Sequence, residues 1–261
     1  MRLGFVFIVL LMLGCTNKKE TPYVQKQEIS LAQPRVTATN TLIDSAVTIS
    51  ADLRLEGVQL FYTNDGSDPT QQSSLYTKPF EVRNKGTYTF RAFHLDWNPS
   101  ESVSLTLFKK GIIPEKIDWI TNAHPNYPDE DLLSLINQKK GSLNFRDVEW
   151  TGFDSIAKAT VHFKKKTHIN EITVGFLIDT KSWIFPPEEI AIYHGQNLLG
   201  FKLTVPHITS DLKKIESNRF LIGKEVDSIT IIIKNFQQLP DWHPGKGNKA
   251  WMFLDEFIFN E

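Results

Sequence analysis

The chain has 261 residues, enough for one large or two ordinary domains, and its 41% hydrophobic and 23% charged residues are the balance of a globular protein. A formal net charge of −1, with no long basic run, excludes an electrostatic grip on nucleic acid. The single cysteine, Cys15, excludes an intramolecular disulfide and leaves almost no room for a cysteine-ligated zinc site.

Met1 and Arg2 give a short positive start, and residues 3–13 form an apolar run broken only by Gly4. That run is too short to span a bilayer comfortably. It ends in Leu11-Met12-Leu13-Gly14-Cys15, followed at once by polar Thr16-Asn17-Lys18-Lys19-Glu20. The segment resembles a bacterial lipoprotein signal, with Met12 standing where Leu is usual. The resemblance implies a signal peptide over 1–15, lipidation of Cys15, and a mature protein held on a membrane of the bacterial envelope, the outer membrane being the expected one. The alternative is an ordinary signal peptide with a chance cysteine. Residues 16–34 are polar and aperiodic, and read as a flexible tether.

From Arg35 the pattern turns to β. Residues 47–50, 58–63, 87–93 and 102–108 alternate with period two, and the 64–70 segment Asn-Asp-Gly-Ser-Asp-Pro-Thr is dense in turn formers. Short strands at regular spacing predict a small immunoglobulin-like sandwich over 35–109. Tyr62, Thr63, Asp65, Gly66, Ser67, Pro69, Thr70, Ser74, Tyr76 and Pro79 carry a resemblance to the C-terminal sandwich of chitobiases and other β-hexosaminidases. In those enzymes the module is accessory. Asp65 and Asp68 lack the order of a calcium loop and read as turn residues.

Residues 109–114 form a joint, and 115–140 hold one short helical candidate that starts at Pro128-Asp129, uses Leu132, Leu135 and Ile136, and stops at Gly141. A second, larger β unit is expected over 115–261. Ala157, Ala159, Val161 and Phe163 share one parity, as do Ile172, Val174, Phe176 and Ile178, predicting two strands around a basic turn at Lys164, Lys165 and Lys166. In the last strand Trp251, Phe253, Phe257 and Phe259 are placed on one face, and Met252, Leu254 and Ile258 on the other, so this strand is central. Asp255 and Glu256 fall inside it, and such buried carboxylates need a cation or an Arg/Lys partner.

This unit, through Glu149-Trp150-Thr151-Gly152-Phe153, Thr180-Lys181-Ser182-Trp183-Ile184-Phe185-Pro186-Pro187, Pro240-Asp241-Trp242-His243 and the 250–257 segment, is similar to the discoidin-like jelly roll of the coagulation factor 5/8 type C-like, galactose-binding-like class. The resemblance implies an all-β, eight-stranded sandwich that binds sugars through loops at one end. It also implies a structural calcium held by the counterpart of Glu256 and an early loop. That loop departs from the usual Leu-x-Asp-Gly, reading Ile136-Asn137-Gln138-Lys139, so calcium would have to use Asn137 and backbone carbonyls.

No motif of nucleophilic, metal or phosphate catalysis is present. The seven histidines are scattered, and none forms a metal-ligand spacing. Ligand contact through aromatic side chains remains. Trp242, His243, Lys246 and Asn248 form the favoured loop, and Trp183 is a further candidate, the alternative for each aromatic being a hydrophobic plug. Trp150 and Trp251 are assigned to the core. The expected protein is a non-catalytic, membrane-anchored lipoprotein whose partner is a glycan, N-acetylhexosamine- or galactose-containing. The alternative is a structural, protein-docking accessory of an envelope complex.

Overall fold

The computed structural model describes residues 29–129, 133–204, 208 and 210–261. The signal segment, Cys15 and most of the expected tether lie outside these residues. The end of that tether is part of the fold: Leu31 is buried, its N–H donates to the Asn98 carbonyl, and the Asn98 N–H donates to Ile29.

The first unit is built from β1 (Arg35–Ala38), β2 (Leu42–Ile43), β3 (Val47–Asp52), β4 (Gln59–Thr63), β5 (Ser74–Tyr76), β6 (Phe80–Val82), β7 (Gly86–Phe93) and β8 (Val103–Lys109). They form two sheets, ordered β1-β3-β6 and β2-β8-β7-β4-β5. The alternation is why they pack: Val47 and Ile49 on one sheet meet Tyr88, Phe90 and Leu107 of the other, with Tyr62 stacked between Phe80 and Phe90.

The second unit contains β9 (Lys116–Trp119), β10 (Thr151–Phe153), β11 (Ala157–Asp179), β12 (Glu189–His194), β13 (Asn197–Leu203), β14 (Lys213–Lys234) and β15 (Met252–Asn260). The expected pair of strands around a basic turn is instead one strand of 23 residues, β11. Lys164, Lys165 and Lys166 are exposed on it, where the register against β14 shifts between His162 and Thr167. The shift bends the long β11–β14 ribbon, so its two halves serve two layers. One layer runs β10, β15, the C-terminal half of β11 and the N-terminal half of β14. The other runs β9, the N-terminal half of β11, the C-terminal half of β14, β12 and β13. Ala157, Val161, Ile231 and Ile192 from one layer close on Val174, Phe176, Phe257 and Leu254 from the other.

A second bulge corrects the assignment of faces in β15. Val174 pairs with Phe257 but Phe176 pairs with Leu254, so Asp255 and Glu256 together stand opposite Gly175. The extra residue flips the parity. Met252, Leu254, Phe257 and Phe259 all enter the main core, while Phe253 packs with Trp150, Leu177 and Ile184 on the outer side. The expected helix is reduced, within the described residues, to a 3₁₀ turn Ser134–Ile136. Leu135 and Ile136 are buried as anticipated, but the turn stops at Asn137, and Gln138 adopts a left-handed φ of 61°.

The joint is packed and not free. The Ile112 N–H donates to the Phe259 carbonyl, and a Cβ at Gly111 would lie 2.3 Å from that same oxygen. Lys85 of the first unit also reaches Glu171 of the second at 2.7 Å.

Candidate functional site

Four of the five residues expected to touch ligand come from one loop, and the structure brings the fifth to it. The 3₁₀ turn Thr180–Ser182 ends at Trp183, whose N–H donates to Thr180 and whose carbonyl accepts from Trp251. Held from both sides, Trp183 takes φ 66°, a conformation rare for a bulky residue. Its ring lies against Gly245, where a Cβ would come within 2.8 Å, and edge-on to His243 with centroids 6.0 Å apart. Even so, 38% of Trp183 is exposed.

His243 is corrected from ligand contact to internal tie. It is 3% exposed, its Nδ1 accepts from the Gly245 N–H at 3.0 Å, and its Nε2 faces the Thr180 carbonyl at 2.8 Å. Those two partners place the ring proton on Nε2 and use both nitrogens, so none is left for a sugar hydroxyl. Trp242 is half-buried against Phe185, with Nε1 donating to Ile208 at 2.6 Å. Lys246 and Asn248 are exposed on the turn, which Gly247 makes possible at φ 81°. The outward groups are therefore Trp183, Lys246 and Asn248, with His243 and Trp242 bracing them from beneath.

The acid pair of β15 sits elsewhere and has its own partners. Asp255 is fully buried, its Oδ1 lies 2.5 Å from the Lys140 ammonium, and its Oδ2 accepts from the Gly141 N–H at 3.2 Å. Lys140 is itself 4% exposed at the side chain and stands 5.1 Å over the Phe108 ring of the first unit. Burial pushes the Asp255 carboxyl upward, against the pull of Lys140 and the two backbone N–H groups. Glu256 is pushed up to about 9, by burial first and by the neighbouring Asp255, although the Gln138 N–H bonds to it at 3.0 Å.

The side chains expected to hold calcium are bonded within the protein. The Asn137 Oδ1 accepts from the Lys139 N–H and its Nδ2 donates to Glu149, while a Glu256 oxygen accepts from the Gln138 N–H. Calcium needs six to eight convergent oxygens. No group of three or more acidic or histidine side chains that could hold a metal is found among the described residues. The Lys140 ammonium is the counter-charge of Asp255, and the Gln138 N–H donates to Glu256.

In the first unit the Asp-Gly-Ser segment closes on itself. Asp65 Oδ1 accepts from both the N–H and the hydroxyl of Ser67, which hold its carboxyl below the usual range, Thr63 Oγ1 donates to the Ser67 carbonyl, and Gly66 takes φ 82°. This is a self-contained turn with every acidic oxygen of the motif used locally or facing water. Residues 37–104 match the family of the chitobiase/β-hexosaminidase C-terminal domain. The hexosaminidase-type unit thus carries these residues as structural fixtures, Tyr62 and Tyr76 half-buried against the core and Asp65 to Ser67 in the turn.

No curated protein matches the chain. Among solved structures, similarity is found to a family 32 carbohydrate-binding module of Clostridium perfringens NanJ in complex with galactose, at 11% identity over 57% of this chain and 97% of that one, with a TM-score of 0.33. It is also found to the lectin binding domain of lectinolysin complexed with Lewis b, at 9% identity, 58% and 96% coverage and a TM-score of 0.37. A SusE-like protein is similar over 87% of this chain and 95% of its own, at 12% identity and a TM-score of 0.31. The all-β, two-layered character of the second unit rests on its own strand pairings.

The acid-pair partner Lys140 and the crowded Gly175 were not singled out in the sequence. The one available signal was the need of two buried carboxylates for a counter-charge.

Proposed function

We propose that the chain is a non-catalytic glycan-binding protein of the bacterial envelope, anchored through lipid on Cys15. The observation that carries the binding reading is Trp183: a bulky aromatic held in a left-handed conformation by two backbone hydrogen bonds, yet 38% exposed beside Lys246 and Asn248. A flat apolar face with adjacent polar groups, presented on a braced loop, suits a sugar ring and its hydroxyls. Galactose and Lewis b, held by two of the similar structures, belong to the same ligand class. The accessory standing of the matched domain in hexosaminidases, and the lack of a catalytic motif, support the non-catalytic reading.

The mature chain screened on a glycan array is expected to bind galactose- or N-acetylhexosamine-containing glycans, and Trp183→Ala to weaken that binding by tenfold or more. His243→Gln should instead lower the melting temperature, since its role is to brace the loop. Binding that is unchanged in Trp183→Ala would remove this site. Absence of any glycan binding would favour protein docking, for which the exposed Leu198, Phe201 and Leu203 on the edge strand β13 are suited. Anchoring is tested separately: Cys15→Ser is expected to abolish incorporation of a clickable palmitate analogue and to release the protein from the membrane fraction. Unchanged labelling in that variant would refute lipidation at Cys15.

A further inference from the structure

A cleft of about 750 Å³ lies where the two units meet. Its first wall is the outer face of the hexosaminidase-type sandwich. Ser104, Thr106 and Phe108 follow one another on the same side of β8, and Thr87 on β7 lies beside Thr106 with their hydroxyl oxygens 3.1 Å apart. The facing wall is made by Leu143, which is 49% exposed, and by the start of β14, with Ile215 and Ser217. Lys140, leaning over Phe108, closes the floor between the walls.

The charges of this cleft are internally matched. Lys140 is paired with Asp255, Lys213 with Asp179 at 2.8 Å, and Lys214 with Glu216 at 2.9 Å. An anionic ligand would find each of these lysines already committed to a carboxylate. What the walls offer is hydroxyls, Thr106 paired with Thr87 and Ser104 with Thr89 at 3.0 Å, each pair keeping one proton and further lone pairs for a ligand, beside apolar surface from Phe108, Leu143 and Ile215. The volume falls in the ~300–1,000 Å³ range of small-ligand sites, and junctions between units are where such sites concentrate.

We propose that this cleft is a second binding site, taking an uncharged oligosaccharide whose hydroxyls meet Thr87, Ser104, Thr106 and Ser217 and whose C–H faces meet the apolar patches. It shares no residue with the Trp183 loop, so the two sites stand or fall independently. A ligand seated here touches both units and would hold them together, since each supplies one wall.

The test uses the full mature chain and three probes: chitotetraose and lacto-N-tetraose, both uncharged, and tetragalacturonate, which is anionic. At least one uncharged probe is expected to shift the methyl resonances of Thr87 and Thr106 in the unaltered protein. The same probe should bind at least tenfold more weakly to Thr106→Trp and to Ser217→Trp, which fill the cleft from opposite walls. Trp183→Ala should leave these methyl shifts in place. Failure of both uncharged probes to move the methyls overturns the proposal, as does tighter binding of tetragalacturonate. Methyl shifts that vanish in Trp183→Ala while surviving both cleft variants would assign the binding to the loop end instead.

Discussion

Replacing Lys140 with methionine is expected to lower the free energy of unfolding by about 3–5 kcal/mol, read from urea denaturation, because it strands Asp255 in the interior without its partner. Asp255 is 0% exposed and is surrounded so closely that a Cβ on Gly175 would come within 2.0 Å of its Oδ1 and 2.1 Å of the Lys140 nitrogen. The Gly141 N–H would remain as a donor, worth a fraction of the lost interaction. Lys140→Met combined with Asp255→Asn should recover a large part of the loss, since the amide keeps an acceptor for Gly141 and carries no charge to bury. Equal stability of the single and double variants would mean that lost packing, including contact with Phe108, outweighs the stranded charge. The same arrangement predicts that adding calcium or a chelator leaves the unfolding midpoint of the unaltered protein where it was. A calcium-dependent rise would contradict the reading of Lys140 as the built-in counter-ion.

Much of the architecture was legible because it depends on side-chain parity. Ala157 to Phe163 and Ile172 to Ile178 each alternate as a half-buried strand must, and the turn formers at 64–70 mark a hairpin without long-range help. What parity cannot register is a bulge. The shift between His162 and Thr167 joins two apparent strands into one, and the extra residue at Asp255-Glu256 moves Phe253 away from the face of Phe257. Both are properties of a pairing with a distant strand, and neither leaves a mark in the local pattern. The candidate site shows a similar division. Pro-flanked aromatics at 183 and 242 do meet across His243, but polar neighbours made His243 look solvated. Its burial comes from Phe185 and Trp183 packing edge-on around it, some sixty positions earlier in the chain. Lys140 was hidden for the same reason, its carboxylate being 115 positions away.

Glu256 supplies the second large effect, a stability that falls as pH rises. In the folded chain its carboxyl is pushed up from 4.5 to about 9, chiefly by burial. Between those values the folded state holds a proton that the unfolded chain has given up, so each step upward in pH favours unfolding. The contribution is fully present below about 4.5 and is lost progressively as pH climbs through the folded value. A fully developed single-proton difference is worth about 1.4 kcal/mol per pH unit. Asp255, whose carboxyl is also raised by burial, acts in the same sense, moderated by Lys140. Glu256→Gln retains an acceptor for the Gln138 N–H and removes one titrating group. Its unfolding free energy, measured at pH 5, 7 and 9, should decline less steeply than that of the unaltered protein, and by pH 9 the variant should be the more stable of the two. Parallel decline of the two proteins would show that Glu256 is ionised in the folded state, and a cation other than Lys140 would then have to be sought at the bulge.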